Sequence, residues 1–337
     1  MLIQKQYRKV HRQFLPIILS CILLLTCSGC TRKEEPVSRT DFKLNTVVTI
    51  TLYDTTDTAL LDGCMELCDH YELLFSRTDP DSELYKLNHG LLPHDGNGQI
   101  VSDEMAELIA LGLSHGELSD GAFDITIAPV SSLWDFGSDT PSVPEAEKLR
   151  EAQTHVDYRK VSVTGNVVTF LEGNMAIDLG AIAKGYIADR IQDYLLENGV
   201  KSATINLGGN VLCMGSKNGT PFRVGIQKPF APQGESVTTV SVTDRSIVSS
   251  GTYERYFKQG GILYHHILDP RTGYPCESGL DGVTILSAHS VDGDALSTTC
   301  FLLGAEKGLA LIETLPDTEA LFITESGDLL YSSGFDK

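Results

Sequence analysis

The stretch between residues 200 and 290 is a succession of short runs rich in β-branched residues, separated by turn residues such as glycine, asparagine and proline. Runs of this composition and length predict β-strands, and the short connections between them predict antiparallel hairpins. Strands grouped in this way, with helices before and after them, favour an α+β fold over a doubly wound parallel sheet. The predicted strand runs are SATINLGGNVLCMGS, FRVGIQKP, VTTVSVTD, SIVSSGTYERYF, ILYHHILDP and GVTILSAHS.

Apolar residues at helical spacing predict the longer helices around these strands. Ser102 has the side chain of a helix N-cap, and Gly199 is of the residue type that commonly ends a helix. The segment GAFDITIAPVSSLWDFG is rich in turn residues and is predicted to be irregular. No linker or repeat interrupts the body, so residues 42–337 are predicted to form one domain. The predicted helices are 57–75, 101–117, 181–199 and 291–314, the last as one or two helices.

The first 29 residues have the organisation of a secretory signal peptide. Basic residues precede an apolar run, FLPIILSCILLLT, which is shorter than the run that a membrane-spanning helix usually needs. Small residues then precede Cys30, as in a bacterial lipobox. We therefore predict a signal peptide at 1–29, a lipid on Cys30, a tether at 30–41 and a location on the extracytoplasmic face of the cell membrane. A plain secretory signal or an uncleaved anchor helix is the alternative, and Cys27 is the other candidate for the lipid.

The chain is acidic, with a formal net charge of -19. Nucleic-acid binding needs clustered lysine and arginine to neutralise phosphates, so this composition argues against a nucleic-acid partner. The cysteines that follow Cys30 are odd in number and contain no CxxC pair. We predict that they are buried as small apolar residues. A zinc or redox site at Cys64 and Cys68 is the weaker alternative.

The segment AIDLGAIAKGYIADRI, residues 176–191, combines an acid at a strand end, two glycines that flank a lysine, and an amphipathic helix. It matches neither the Walker A loop nor the GxGxxG fingerprint. Gly180 permits a tight turn, and the amides at the helix start favour an anion that Lys184 can also contact. Asp178 can accept hydrogen bonds from a ligand. Taken alone, the segment is better explained as a strand, a glycine turn and a surface lysine.

Two further segments favour a ligand-binding role for residues 176–191. HHILDPRTGYP, residues 265–275, places two histidines, an aspartate and an arginine around a turn that itself requires only proline and glycine. In VDGDALSTTC, Asp294 and Thr298 are spaced i, i+4, so their oxygens face one side of a helix. A carboxylate and a hydroxyl on one face suit a hard cation such as Mg²⁺. Asp294 also has a simpler possible role, which is to favour the start of its helix.

These segments occur in the order and approximate spacing of a known family. GAFDITIAP, AIDLGAIAKGYIAD, INLGGN, HHILDPRTGYP and DALSTT resemble the motifs of the ApbE family, the FAD:protein FMN transferases. DSELYKLN and SSGTYERYF resemble further family segments, and the resemblance runs from about residue 42 to the C-terminus. It implies a single α+β catalytic domain, related to the T-fold, with mixed or antiparallel sheets and packed helices. It also implies Mg²⁺-dependent transfer of the FMN moiety of FAD to a Thr or Ser hydroxyl of a target protein, with release of AMP.

The resemblance assigns roles to individual residues. The backbone of Ala181 and the side chains of Asp294 and Thr298 are implied to hold the cation. His266 is the candidate general base, since imidazole titrates near neutral pH, and His265 is predicted to face away. Contact with the flavin or with the turn backbone is the other role considered for His266. The residues implied to lie along FAD are Leu44, Thr78, Ala122, Phe123, Asp124, Asp178, Lys184 and Leu268, of which the first two depart from the residue types usual in the family.

Two other functions would use the same residues. With water as the acceptor, the protein would be an FAD pyrophosphatase that forms FMN and AMP. A non-catalytic flavin-binding lipoprotein would leave FAD intact, but Asp294, Thr298 and His266 argue against a passive binder. The partners implied by the transferase function are FAD, acceptor proteins among exported or membrane redox subunits, and the membrane through the lipid anchor.

Overall fold

An eight-stranded sheet is the central element of the fold. The computed structural model describes residues 35–138 and 140–335, and the part from Pro36 onward forms one compact unit. Neighbouring strands run antiparallel across the whole sheet. Its strands, in spatial order, are β1 (Val37–Lys43), β2 (Thr46–Leu52), β7 (Ala203–Leu207), β8 (Asn210–Met214), β11 (Arg245–Gly251), β14 (Leu280–Ser287), β15 (Glu319–Thr324) and β16 (Leu329–Tyr331).

Smaller antiparallel sheets accompany the central one, and together with the helices they confirm the predicted α+β class. One has four strands, in the order β3 (His94–Asp95), β4 (Gly98–Ile100), β6 (Val167–Phe170) and β5 (Val161–Thr164). The others are two-stranded hairpins, β9 (Phe222–Gln227) with β10 (Ser236–Val242) and β12 (Tyr256–Gln259) with β13 (Ile262–His265).

Three boundaries predicted from the sequence were wrong. SATINLGGNVLCMGS is the hairpin β7–β8 and not one strand, because Gly208 and Gly209 adopt φ angles of 65° and 97° and form its turn. SIVSSGTYERYF is divided between β11 and β12, because the chain turns after Gly251. Residues 37–41 of the predicted tether belong to β1, since Val37–Lys43 pairs with β2 along its whole length. The predicted signal peptide at 1–29 and the lipidation site Cys30 lie outside the described residues.

The described residues contain α1 (Thr58–Phe75), α2 (Glu83–Asn88), α3 (Asp103–Leu118), α4 (Ala128–Trp134), α5 (Ala146–Gln153), α6 (Ala183–Glu197) and α7 (Ser290–Ile312). Ser102 caps α3 as predicted, because its hydroxyl accepts a hydrogen bond from the Met105 amide at 3.2 Å. Gly199 follows the end of α6 with a φ of 81°. Gly304 has non-helical angles and divides α7 into two parts. Helix α4 lies in the segment that was expected to be irregular, and Pro129 in its first turn suits a helix start.

Helices α1 and α6 bury apolar faces against the central sheet. Ile50 and Ile205 of the sheet share one core with Leu61 of α1 and Ile191 of α6. Helix α7 packs on β11 and β14 and against α6. Among the described residues, α7 is the one helix long and apolar enough to cross a membrane, and half of its most apolar window is buried inside the fold. A core helix of a globular protein meets the same criterion of length and composition.

The cysteines of the described body are free and buried, as predicted for small apolar residues. Burial raises the pKa of the Cys64 and Cys68 thiols to about 12, so both stay protonated. Within residues 35–138 and 140–335, no group of three or more His, Cys, Asp and Glu side chains is arranged to hold a metal. In the described part of the chain, the zinc alternative at Cys64 and Cys68 therefore lacks the further His, Cys, Asp or Glu ligands that it needs.

Candidate active site

Asp178 lies beside the GAFD segment, just before α6. Its backbone N–H donates to the carbonyl of Ile125 at 2.8 Å. Its carboxylate accepts hydrogen bonds from Ser131 Oγ at 2.8 Å and from the Gly180 amide at 2.9 Å, and it lies 3.2 Å from Arg77 Nε. These partners fix the orientation of the carboxylate, so two segments that are distant in sequence meet at the residue predicted to contact FAD.

Asn88, at the end of the DSELYKLN segment, holds the chain that leads into Asp178. Its Nδ2 donates to the carbonyl of Ile177 at 2.8 Å, and its Oδ1 accepts from the Ile177 amide at 2.7 Å. Ile177 is fully buried, so both of its backbone polar groups need protein partners. The DSELYKLN segment therefore contributes to the site by positioning the backbone next to Asp178.

Helices α6 and α7 begin side by side and exchange hydrogen bonds. Asp294 of α7 accepts from the Gly185 amide at 2.9 Å. Asp189 of α6 accepts from the amides of Ser290 and Val291 at 2.8 and 2.9 Å. Gly185 permits this approach, because a Cβ atom there would lie 2.3 Å from the carbonyl oxygen of Ser290. Gly185, the second of the two glycines that flank Lys184, therefore has a packing role, because it lets the starts of the two helices lie side by side.

Asp294 is a buried carboxylate whose charge interacts with that of Lys184. Burial raises the pKa of Asp294, and the positive charge of Lys184 and the N–H of Gly185 oppose the rise. One helical turn further on, the Thr298 hydroxyl lies 3.3 Å from Ser250 Oγ. These hard oxygens are the ligand type that Mg²⁺ prefers. Since the described residues offer no larger group of metal-ligating side chains there, such an ion would also need oxygens from water or substrate.

Glu254 is a residue near Lys184 that the sequence analysis did not single out. Burial raises its pKa to about 7, the charge of Lys184 opposes the rise, and the charge of Asp294 adds to it. Lys184 and Asp294 are close enough to act on Glu254 electrostatically, although Glu254 is an exposed residue. In the sequence Glu254 is one acid within SSGTYERYF, and its spacing does not distinguish it from a surface residue.

His266 is half-buried, whereas His265 faces the core. Burial lowers the pKa of His266 to about 3, and the positive charges of Arg255 and Lys184 contribute. The buried Nδ1 of His266 has no hydrogen-bond partner in the described part of the chain. His265 instead places its Nε2 3.1 Å from the carbonyl of Cys276, so the predicted alternation is confirmed. His266 is thus a neutral imidazole at pH 7, which is the form able to accept a proton.

Four predicted flavin contacts are the buried residues Ala122, Phe123, Asp124 and Leu268. The carboxylate of Asp124 accepts from the backbone amides of Thr126 and Tyr158 at 2.8 and 2.9 Å. It is therefore engaged by its own part of the chain, where it fixes the turn after the GAFD segment. The contacts of these four residues with FAD stay predictions.

The remaining predicted residues lie on turns near the starts of elements. Leu44 lies in the β1–β2 turn with a φ of 54°. The β7–β8 turn touches this region, because a Cβ atom at Gly208 would lie 2.0 Å from Thr46 Oγ1. Thr78 lies in an exposed bend between α1 and α2, and Ala181 is half-buried just before α6. Their predicted contacts with FAD and with the cation also stay predictions.

Known proteins share both the sequence and the fold of the body. Residues 44–322 match the model of the ApbE family. The chain is 39% identical over 279 residues to an FAD:protein FMN transferase of Klebsiella pneumoniae (strain 342), a match that covers 82% of this chain and 86% of that one. It is 35% identical over 340 residues to an FAD:protein FMN transferase of Treponema pallidum (strain Nichols), with coverage of 94% and 92%.

Solved structures resemble the fold over most of its length. The crystal structure of the ApbE protein from Thermotoga maritima MSB8 has a TM-score of 0.80 and 31% identity, and the match covers 89% of this chain and 97% of that one. The flavin transferase ApbE from Vibrio cholerae has a TM-score of 0.79 and 27% identity, with coverage of 89% and 98%. Most of the chain therefore has counterparts of the same architecture.

Proposed function

The chain belongs to the ApbE family, and we propose that it transfers the FMN moiety of FAD to a hydroxyl group of an acceptor protein. One observation carries this proposal. The Gly185 amide, next to Lys184, donates to Asp294 at 2.9 Å, and the positive charge of Lys184 also acts on Glu254 and His266, which come from two other segments. This arrangement combines a cation for a diphosphate with a neutral imidazole for a proton. Relatives named for this reaction are similar along most of the chain, which supports the same reaction here.

The proposed reaction breaks one phosphoanhydride bond and forms one phosphoester bond. The acceptor oxygen attacks the phosphorus atom of the FMN half of FAD. The bond from that phosphorus to the bridging oxygen breaks, and AMP leaves with this oxygen. The hydroxyl proton passes to a base, and FMN stays joined to the acceptor through a phosphodiester. Transfers of this kind depend chiefly on positioning and on neutralisation of phosphate charge, which Lys184 supplies.

His266 is the proposed base. Burial and the charges of Arg255 and Lys184 disfavour its protonated form and hold its pKa at about 3. A diphosphate at Lys184 would offset the smallest of these contributions and so favour the protonated form of His266, whereas burial, the largest cause of the lowered pKa, would persist.

Mg²⁺ is the proposed cofactor, held by Asp294, Thr298 and the backbone of Ala181. The carboxylate and hydroxyl oxygens fit this ion, and Mg²⁺ commonly takes few protein ligands and completes its shell with water and substrate phosphates. When bound, the ion would neutralise charge on the diphosphate and so ease the departure of AMP. Asp294 contributes through its buried carboxylate, whose position the start of α6 fixes.

The proposed acceptor is a Thr or Ser hydroxyl on an exported or membrane-bound redox protein. This proposal follows from the predicted signal peptide and from the predicted lipid on Cys30, which lie outside the described residues. A lipid on Cys30 would hold the enzyme at the extracytoplasmic face of the cell membrane. FAD and the acceptor would then have to be present on that side.

Incubation of the purified protein with FAD, Mg²⁺ and a candidate acceptor tests the proposed function. AMP release together with a fluorescent acceptor band on a denaturing gel supports the transferase. AMP release without a band, even with acceptor present, identifies a pyrophosphatase, and FAD that stays bound and intact identifies a binding protein.

Asp294→Ala is expected to abolish AMP release, because it removes the only buried carboxylate predicted to hold the cation. The matched control is Asp292→Ala, which removes a half-exposed carboxylate two residues earlier in the same helix and should leave turnover near the wild-type rate. Full activity of Asp294→Ala would refute the metal assignment.

A further inference from the structure

The first turns of α6 and α7 receive no side-chain cap from their own N-cap residues. Ile182 and His289 occupy these positions, and in the described structure neither makes a capping hydrogen bond through its side chain. A helix start leaves four backbone N–H groups without intrahelical partners, and buried N–H groups need acceptors. Gly185 and Ser290 are buried, so acceptors for their amides must come from other elements.

Each helix supplies the carboxylate that caps the other. Asp189 of α6 accepts from the Ser290 and Val291 amides at 2.8 and 2.9 Å, and Asp294 of α7 accepts from the Gly185 amide at 2.9 Å. In each helix the amide and the carboxylate are four residues apart, so both lie on the face that meets the other helix. We call this arrangement the reciprocal cap of α6 and α7. One of its two carboxylates, Asp294, is the residue on which the proposed chemistry depends.

The start of α7 is also tied to the central sheet, independently of Asp189. Ser290 Oγ donates to Asn210 Oδ1 at 2.7 Å and accepts from Ser246 Oγ at 2.8 Å. These bonds use the serine side chain, whereas Asp189 takes the backbone amides. A variant at position 189 would therefore keep α7 on the sheet while it loosens the first turn of α7 from α6.

We propose that Asp189 is a positioning residue for the transfer reaction, because its cap on α7 sets where Asp294 and Thr298 lie relative to Lys184. The proposal rests on the role assigned above to Asp294. Asp189 acts through the helix backbone, so a shift of the first turn of α7 moves Asp294 and, one turn later, Thr298 together. A displacement of about 1 Å at a reacting centre can lower a rate by about 100-fold.

The test compares Asp189→Asn with Asp193→Asn in the full chain. Both variants replace an aspartate of α6 by its amide, but Asp193 is a surface residue whose carboxylate lies 3.3 Å from Arg190 on the same helix. Asparagine at 189 keeps one acceptor and loses the charge and the second acceptor. The measurements are kcat and KM for FAD, with kcat divided by the number of FAD-binding sites so that misfolded protein is not counted. Hydrogen exchange of the amides in residues 290–294 reports the first turn of α7 directly.

We expect Asp189→Asn to lower kcat per FAD site by tenfold or more, to change the KM for FAD by less than threefold, and to speed exchange at residues 290–294. Asp193→Asn should match the wild type in all three. A kcat within twofold of the wild type for Asp189→Asn, or an equal loss in Asp193→Asn, overturns the proposal. If Asp189→Asn binds no FAD, Asp189→Glu replaces it, since it keeps the charge but displaces the carboxylate by one methylene, and a wild-type kcat there also overturns the proposal.

Failure of the positioning role of Asp189 and failure of the proposed function give different results. An inactive Asp294→Ala with a fully active Asp189→Asn removes only the positioning role of Asp189. An active Asp294→Ala removes the chemistry on which that role depends.

Discussion

Replacement of Gly185 by alanine tests the packing that joins α6 to α7. The added Cβ atom would lie 2.3 Å from the carbonyl oxygen of Ser290 and 2.6 Å from the Val291 Cα, both of which belong to the backbone. Ordinary contact requires about 3.4 Å, so the helices must separate by roughly 1 Å. Overpacking of this kind costs about 1–3 kcal/mol, and a lost hydrogen bond to a carboxylate costs about 1.5–3 kcal/mol. The higher helix propensity of alanine stabilises α6 by about 1 kcal/mol, so the net decrease in the free energy of unfolding is about 3 kcal/mol.

Urea unfolding, followed by circular dichroism, measures this loss, and the AMP-release assay measures its effect on turnover. The matched control is Gly173→Ala, because a Cβ atom at Gly173 meets no atom of the described chain within 4 Å and its φ is negative. We expect the control to lie within about 0.5 kcal/mol of the wild type, as is usual for surface substitutions. If Gly185→Ala is as stable and as active as Gly173→Ala, the close approach of the two helices does not exist in solution.

Three further predictions concern single residues. His266→Ala should lower kcat by about 100-fold or more, as the loss of a general base does, and change FAD affinity by less than about threefold. A loss of FAD affinity without a loss of kcat would instead assign His266 to flavin contact. His266 has a pKa of about 3 in the folded state against 6.5 for the free side chain, so between these values the unfolded state binds more protons. The wild type should therefore lose about 1.4 kcal/mol of stability per pH unit relative to His266→Gln as the pH falls from 6 to 4, and parallel stability curves would contradict the burial of this imidazole. Asn88→Ala should cost about 2–3 kcal/mol in urea unfolding, because both backbone groups of Ile177 lose their partners, whereas Asn198→Ala at the exposed end of α6 should cost less than about 1 kcal/mol.

Local patterns predicted most secondary structure and several site residues. The β-branched runs, the Ser102 cap and the position of Gly199 each depend on neighbours in sequence, and the structure confirms them. The i, i+4 spacing of Asp294 and Thr298 and the alternation of His265 and His266 are local in the same sense. The errors at the β7–β8 turn and at the tether arose because glycines and polar strands carry weak strand preferences, and the pairing with neighbouring strands decides their structure.

The residues that the sequence did not reveal depend on contacts between distant segments. The pKa of Glu254 is raised by desolvation first and altered further by the charges of Lys184 and Asp294, which only the folded chain brings close. Asp189 reads in the sequence as a polar position of an amphipathic helix, and its cap on α7 is visible only when the two helices are packed. Gly185 likewise reads as a flanking residue of a turn, although its role is to admit a neighbouring backbone.

The reciprocal cap has a consequence for the order in which the protein folds. Its three hydrogen bonds join residues that are 101, 102 and 109 positions apart in the sequence. The capped amides of both helices gain their acceptors only after the intervening polypeptide has closed, and this closure costs conformational entropy before the hydrogen bonds form. A nascent chain that ends before residue 290 would carry the start of α6 without its acceptor. We therefore expect this junction to consolidate late, so that the protein acquires its catalytic competence only near the end of folding.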